Sequence, residues 1–126
     1  MNQNIEIDGL KIVIENPRGS YKDFEIEGDP IWDKYPIKGV TYPVDYGFVD
    51  GYKSEDGHDL DVFVGFGDQV GYIKVWRYDV PEETKMILNC TTEEVEQIVE
   101  TFKPVLVNHE IMKKEDWLKM LEKFKK

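Results

Sequence analysis

Cysteine is nearly missing from this chain. Cys90 stands alone, which excludes an intramolecular disulfide, and beside Ile87 and Leu88 a single thiol reads as a small buried hydrophobe rather than a nucleophile. Positive charge is also scarce: 26 Asp plus Glu face 16 Lys plus Arg, a formal charge of −10. A surface of that sign repels a phosphate backbone, so nucleic acid is excluded as a partner. No stretch approaches the ~18 apolar residues of a membrane-spanning helix, and Met1-Asn2-Gln3-Asn4 has neither the basic start nor the apolar run of a signal peptide. The expectation is a soluble, cytoplasmic protein with no membrane partner. Repeats and low-complexity segments are missing as well. An acidic protein can still hold an anion when metal cations sit between the two, because bound ions reverse the local field.

What is present suits one core. A chain of 126 residues, 40% hydrophobic and 13% aromatic, buries one core and is too short for two, so residues 1–126 are expected to form a single domain. Apolar residues alternate in the front half: Ile5 and Ile7; Leu10, Ile12 and Ile14; Phe24 and Ile26; Leu60, Val62 and Val64. This is the period of half-buried strands. Asp8-Gly9, Pro17-Arg18-Gly19-Ser20, Gly28-Asp29-Pro30 and Asp50-Gly51 supply turns between them. Two more strands are expected over residues 71–78 and 85–88, joined by the acidic segment Asp79-Val80-Pro81-Glu82-Glu83.

The period then changes. Val95, Ile98, Val99 and Phe102 follow Thr91-Thr92-Glu93-Glu94 at helical spacing, with Thr91 as cap and Glu94 reaching back. Pro104 ends that helix, a short extended piece over 105–107 follows, and Trp117, Leu118, Leu121 and Phe124 predict one face of a final helix.

The densest chemical signal is Ser54-Glu55-Asp56-Gly57-His58-Asp59-Leu60-Asp61. If a strand begins near Asp59, then Asp59 and Asp61 share a face and Asp56 leans in from the glycine turn. Unpaired carboxylates at such range disfavour one another's ionisation, and a bound divalent cation removes that difficulty. Mg²⁺ in particular is held by one or two carboxylates together with substrate phosphates. A solvated Asp-rich turn is the bland alternative.

The company this cluster keeps decides between the two. Glu15-Asn16-Pro17-Arg18-Gly19-Ser20, then Phe24-Glu25, then Tyr42-Pro43-Val44-Asp45-Tyr46-Gly47, then Asp56-Gly57-His58-Asp59-Leu60-Asp61 resemble, in this order and at similar distances, the soluble family I inorganic pyrophosphatases. The resemblance implies a mainly β fold with α: a small closed or partly open antiparallel β-barrel, OB-like with about five strands, flanked by two C-terminal helices. It implies Mg²⁺, with Mn²⁺ as the alternative, and pyrophosphate or a related small diphosphate as substrate. A homo-oligomer is implied too.

Residue by residue, the match implies metal ligation by Asp56, Asp61 and Glu25. Glu83-Thr84-Lys85 resembles the family's Asp-x-Lys, which makes Glu83 a metal carboxylate and Lys85 a phosphate contact, with Asp79 the nearest candidate for one carboxylate more. Lys34 resembles the basic residue, usually Arg, that grips a phosphate. Tyr46 and Tyr42 match the motif's tyrosines and Asp59 joins the catalytic group. His58 stands where the family carries the aspartate that helps the attacking water lose its proton; with an ordinary pKa near about 6.5 it is either a base or a neutral hydrogen-bonding substitute. Asp23 stands where a lysine is expected, with Lys22 one place earlier, and the family's C-terminal tyrosine-lysine pair has no counterpart. These departures keep a second reading open, a phosphate- or nucleotide-binding module or a hydrolase of another diphosphate with little pyrophosphatase turnover. A third is an acidic interaction domain using Trp32 or Trp76.

Overall fold

A computed structural model of the chain describes residues 2–24, 35–77 and 80–126. Its strands are β1 (Gln3–Ile7), β2 (Leu10–Asn16), β3 (Tyr21–Asp23), β4 (Gly39–Thr41), β5 (Asp45–Lys53), β6 (Asp59–Val64), β7 (Gln69–Val75), β8 (Glu83–Cys90) and β9 (Leu106–Met112), with helices α1 (Thr92–Phe102) and α2 (Lys114–Glu122). The mainly β character and the two C-terminal helices agree with the sequence. The expected pair over 71–78 and 85–88 forms as antiparallel β7 and β8, but the strand count differs: seven strands form one sheet in the order β1-β2-β5-β6-β8-β7-β9, and β3 pairs with β4 apart from it. The sheet is mixed, because β6 and β8 run parallel with Val62 beside Met86 and Val64 beside Leu88. About five antiparallel strands were expected because alternation reads only half-buried strands. In β8 every residue but Asn89 is buried, and a strand covered on both faces belongs inside a sheet rather than at a hairpin edge.

Local chemistry explains the boundaries. Asp8 and Gly9 adopt positive φ of 52° and 82°, the requirement of a two-residue hairpin turn, and Ile7 pairs with Leu10 across it. A Cβ on Gly47 would stand 1.8 Å from the Val13 carbonyl oxygen, so only glycine lets β2 lie this close to β5 beside Tyr46. The cap of α1 forms as expected, with the Glu94 amide donating to Thr91 Oγ1 and the Thr91 amide donating to the Glu94 carboxylate. Of the extended piece expected over 105–107, Val105 closes a 3₁₀ turn, Lys103–Val105, and Leu106 and Val107 open β9, which runs on to Met112.

Each sheet face carries a core. On one, Ile12, Ile14, Val49, Leu60, Val62, Met86 and Leu88 pack against Trp117 and Leu121 of α2, and the Trp117 indole N–H donates to the Gly71 carbonyl at 2.9 Å. Ile12 of β2 and Val70 of β7 share this cluster although three strands separate theirs, so the sheet curls around α2. Leu118, expected on the buried face of α2, is 44% exposed; at 100° from Trp117 it falls outside the stripe that Leu121 continues. On the other face Tyr42, Tyr46, Phe63, Ile73, Val75 and Ile87 pack against Val95, Ile98 and Phe102 of α1. Cys90 is buried there, and burial pushes its thiol up to about 12, consistent with a hydrophobe. Among the described residues no helix is long and apolar enough to cross a membrane.

Candidate active site

The α1 face of the sheet ends in polar residues. Alternation along β8 places Glu83 and Lys85 on the side of Ile87, and alternation along β6 places Asp61 on the side of Phe63. With Tyr42, Tyr46 and Arg77 they line a cleft of about 200 Å³, closed at its base by Val75 and Phe102 and flanked by Lys22, Asp23, Phe24 and Tyr35.

Lys85 is the hub. Its ammonium donates to the Tyr46 phenol oxygen at 2.7 Å, to Asp61 Oδ2 at 2.9 Å and to Glu83 Oε1 at 3.3 Å. Burial alone would lower its pKa; the Asp61 carboxylate, Tyr46 and Glu83 overcome that and hold it well above the ordinary lysine value. The Tyr46 hydroxyl donates to the same Asp61 oxygen at 2.5 Å. Burial first, and Asp61 second, push the Tyr46 phenol well above its ordinary value, so it remains a proton-bearing donor. Tyr42 stacks on Tyr46 at 4.4 Å between centroids and is raised too, chiefly by burial.

A second cation stands beside the first. Arg77 Nη1 donates to Asp56 Oδ2 at 3.3 Å and to Glu83 Oε2 at 3.0 Å. The Asp56 side chain is 4% exposed and that of Glu83 2%. The turn that presents Asp56 is built by its own hydrogen bonds, from the Ser54 hydroxyl at 2.7 Å and the His58 amide at 2.9 Å to Oδ1, with Gly57 at φ +80°. Burial pushes the Asp56 pKa up, but Ser54, the His58 amide and Arg77 outweigh it and leave the carboxyl below its usual value. Glu55 ties this turn to β8 by accepting the Thr84 amide at 3.0 Å and its hydroxyl at 2.5 Å.

The structure therefore brings together Asp56, Asp61, Glu83, Lys85, Tyr42 and Tyr46 of the residues expected from sequence. Two others lie apart. His58 is exposed and does not line the cleft, and the Asp59 side chain is 44% exposed with Lys126 at 3.7 Å. Glu25, Lys34, Asp79 and Trp32 fall outside the described residues. Trp76 stacks on Tyr35 at 5.7 Å.

Arg77 and Glu55 were missed by the sequence reading. Arg77 was findable: Ile73 and Val75 are buried on the α1 face, and the same period carried one step past β7 arrives at Arg77. Glu55 had no such signal, because its partner Thr84 lies 29 positions away.

The donor set suits a hard cation. Asp56, Asp61 and Glu83 offer only oxygen, and organic cations already bridge them in pairs. As placed, no group of three His, Cys, Asp or Glu side chains among the described residues stands close enough to hold a metal; Arg77 and Lys85 occupy the intervals. Three carboxylates against two cations leave one net negative charge, and Lys22 and Asp23 at the rim cancel.

Residues 1–99 match a family model described as Inorganic Pyrophosphatase. An inorganic pyrophosphatase of Corynebacterium efficiens is 36% identical over 58 residues, 44% of this chain and 37% of that protein. Soluble inorganic pyrophosphatase 2 of Chlamydomonas reinhardtii is 41% identical over 58 residues, 44% of this chain and 30% of that protein. The chain thus spans about a third of the length of the curated relatives it matches. No solved structure matches it.

Proposed function

The chain belongs to the inorganic pyrophosphatase family, and from that premise we propose that it hydrolyses inorganic pyrophosphate to two phosphates in the cleft around Lys85. The charge balance carries the reading: a buried ammonium and a phenol aimed at a carboxylate cluster that is one positive charge short. A diphosphate enters such a site only with added cations. Asp56, Asp61 and Glu83 are the residues to hold them, as Mg²⁺ or alternatively Mn²⁺, with Glu25 and Asp79 contributing further carboxylates. Bound there, the metal supplies charge neutralisation and a more acidic water.

The chain's own groups do the remaining work. Lys85 turns its protons toward a phosphate oxygen and stabilises charge on the departing phosphate. Tyr46, held by the Lys85 ammonium and stacked on Tyr42, turns its one proton from Asp61 to that phosphate. Lys34 adds a point charge. His58 and Asp59 stand outside the cleft lining, so the proton of the attacking water, which approaches phosphorus in line, would pass to solvent from a water made more acidic by the bound metal. No protein nucleophile is needed.

Cleft size bears on the substrate. About 200 Å³ lies below the ~300 Å³ at which sites for larger organic ligands begin, which favours inorganic pyrophosphate over a nucleotide. We also propose a single domain over residues 1–126, the curled sheet acting as a partly open barrel, a homo-oligomer, and a cytoplasmic setting. A second reading, binding without efficient turnover, draws on the exposure of His58 and on Asp23 at the rim. Phosphate release from pyrophosphate, with Mg²⁺ present and then chelated, separates the two: release that needs metal supports hydrolysis, and binding without release supports the second.

A further inference from the structure

Arg77 is a cation in a place where the proposed function needs a metal. A single nitrogen, Nη1, contacts Asp56 Oδ2 and Glu83 Oε2, so the two oxygens are no farther apart than these bonds allow and the nitrogen lies between them. A divalent cation seeking both oxygens meets a like charge in their midst. Arg77 is also positioned to leave. Its side chain is 27% exposed while its partners are 4% and 2% exposed, and it stands two residues past β7 with its amide donating to the Val80 carbonyl at 3.0 Å. The carboxylates are nearly buried and Arg77 is the partly exposed member of the group, lining the cleft.

We propose that Arg77 is a resident counter-cation of the Asp56–Glu83 pair, which holds the metal-free protein together and which the divalent metal must displace. The proposal rests on the metal site of the preceding section and assigns Arg77 a part in its control. In metal-free protein the guanidinium sits against two nearly buried carboxylates and balances their charge. On loading, the metal exchanges with it. Metal affinity is then set by competition, and removing the competitor tightens binding. A charge-assisted hydrogen bond of ordinary strength corresponds to about tenfold in the binding constant.

The test uses the full chain and Mg²⁺ alone. Calorimetric titration of metal-free Arg77→Met is expected to give Mg²⁺ binding about tenfold tighter than in the unaltered protein, with a lower metal-free melting temperature; Arg77→Lys, which keeps the charge without the fork, is expected to fall between. Unchanged or weaker Mg²⁺ binding in a folded Arg77→Met protein overturns the proposal. A second measurement needs no variant. Arg18 and Arg77 are the chain's only arginines, and Arg18 pairs with Glu94 away from the cleft, so ¹⁵N-arginine NMR reads two side-chain Nε–H signals, one an internal control. Saturating Mg²⁺ is expected to shift the Arg77 signal and speed its hydrogen exchange while Arg18 stays put; an Arg77 signal unmoved at saturation overturns the exchange. Neither arm measures hydrolysis. A protein that exchanges Arg77 for metal but releases no phosphate would refute the proposed function alone, and one that hydrolyses pyrophosphate without the exchange would refute this inference alone.

Discussion

Replacing Lys85 by methionine keeps the length and apolar stem of the side chain and removes one buried charge. The ammonium holds Tyr46, Asp61 and Glu83 at 2.7, 2.9 and 3.3 Å. After its loss Asp61 keeps the Tyr46 hydroxyl and Glu83 keeps Arg77, but no cation remains between Asp61 and Glu83, and Arg77 alone faces the three carboxylates. Breaking a buried pair from one side costs about 3–5 kcal/mol, which for a domain of this size lowers the melting temperature by roughly 10–20 °C. The raised pKa fixes the pH dependence. A lysine held above its ordinary 10.5 contributes stability that is complete below that value and is lost only as pH rises through the higher folded value, so the deficit of the variant is flat across neutral pH. Urea unfolding at neutral pH, run on Lys85→Met, Glu83→Gln and the double variant, checks the origin of the effect. The double variant removes both charges and is expected to be more stable than the sum of the single losses predicts by more than about 1 kcal/mol. A Lys85→Met loss under about 1 kcal/mol, or strict additivity, refutes the hub.

Asp61→Ala is expected to lower phosphate release at least about a hundredfold; Asp61→Asn, which still accepts from Tyr46 and Lys85, controls for folding, and release within tenfold of the unaltered protein from either variant argues against ligation by Asp61. His58→Asp is expected to keep or raise the rate, since His58 is exposed and outside the cleft lining, whereas a large loss would give the imidazole a role of its own. Glu94→Gln tests the cap of α1: burial opposes ionisation, but the Thr91 and Phe66 amides and Arg18 hold the carboxyl below its ordinary 4.5, so its stabilisation is present above that pH and lost below it. The variant should be less stable by about 1 kcal/mol at neutral pH, with the gap in urea shrinking as pH falls below 4.5 toward the lowered folded value; a gap that stays constant down to acid unfolding would rule out the carboxylate as the cause.

Legibility in the sequence followed the range of the interactions. The α1 cap was readable because Thr91 and Glu94 lie three residues apart and satisfy each other, and the front strands because alternation is local. The place of β8 was not readable. Its place comes from β6 and β7 on its two edges and the helices on its two faces, and of these β6 and α2 are remote from it in the chain. In the site, motif residues on strands stayed with the cleft, as Asp61, Tyr46 and Lys85 show. Motif residues at the turn divided: Asp56 is drawn in by Ser54 and Arg77, while Asp59, sharing a nominal strand face with Asp61, is turned to Lys126 where β5 and β6 shift register between Val49 and Lys53. The extra residues of that irregularity lie in β5, not between the aspartates, and nothing in the spacing of two aspartates announces it.

The parallel pairing of β6 with β8 is the feature that makes the chemistry local. Val62 stands beside Met86 and Phe63 beside Ile87, so the same register carried one step back sets Asp61 beside Lys85, on adjacent strands about 4.8 Å apart. Glu83 then follows two residues along the same face, and β5 on the far side of β6 contributes Tyr46 opposite Phe63. Anion recognition by a chain of charge −10 needs a place where cations are held too firmly to be lost to the surrounding acidic surface. A lysine in the middle of three sheet strands, with its carboxylates supplied by the neighbouring strand and by its own, meets that need without relying on any loop. The loops are left to bring the rest: Asp56, held on a hydrogen-bonded turn, and Arg77, two residues past β7, where a guanidinium can give way to a metal.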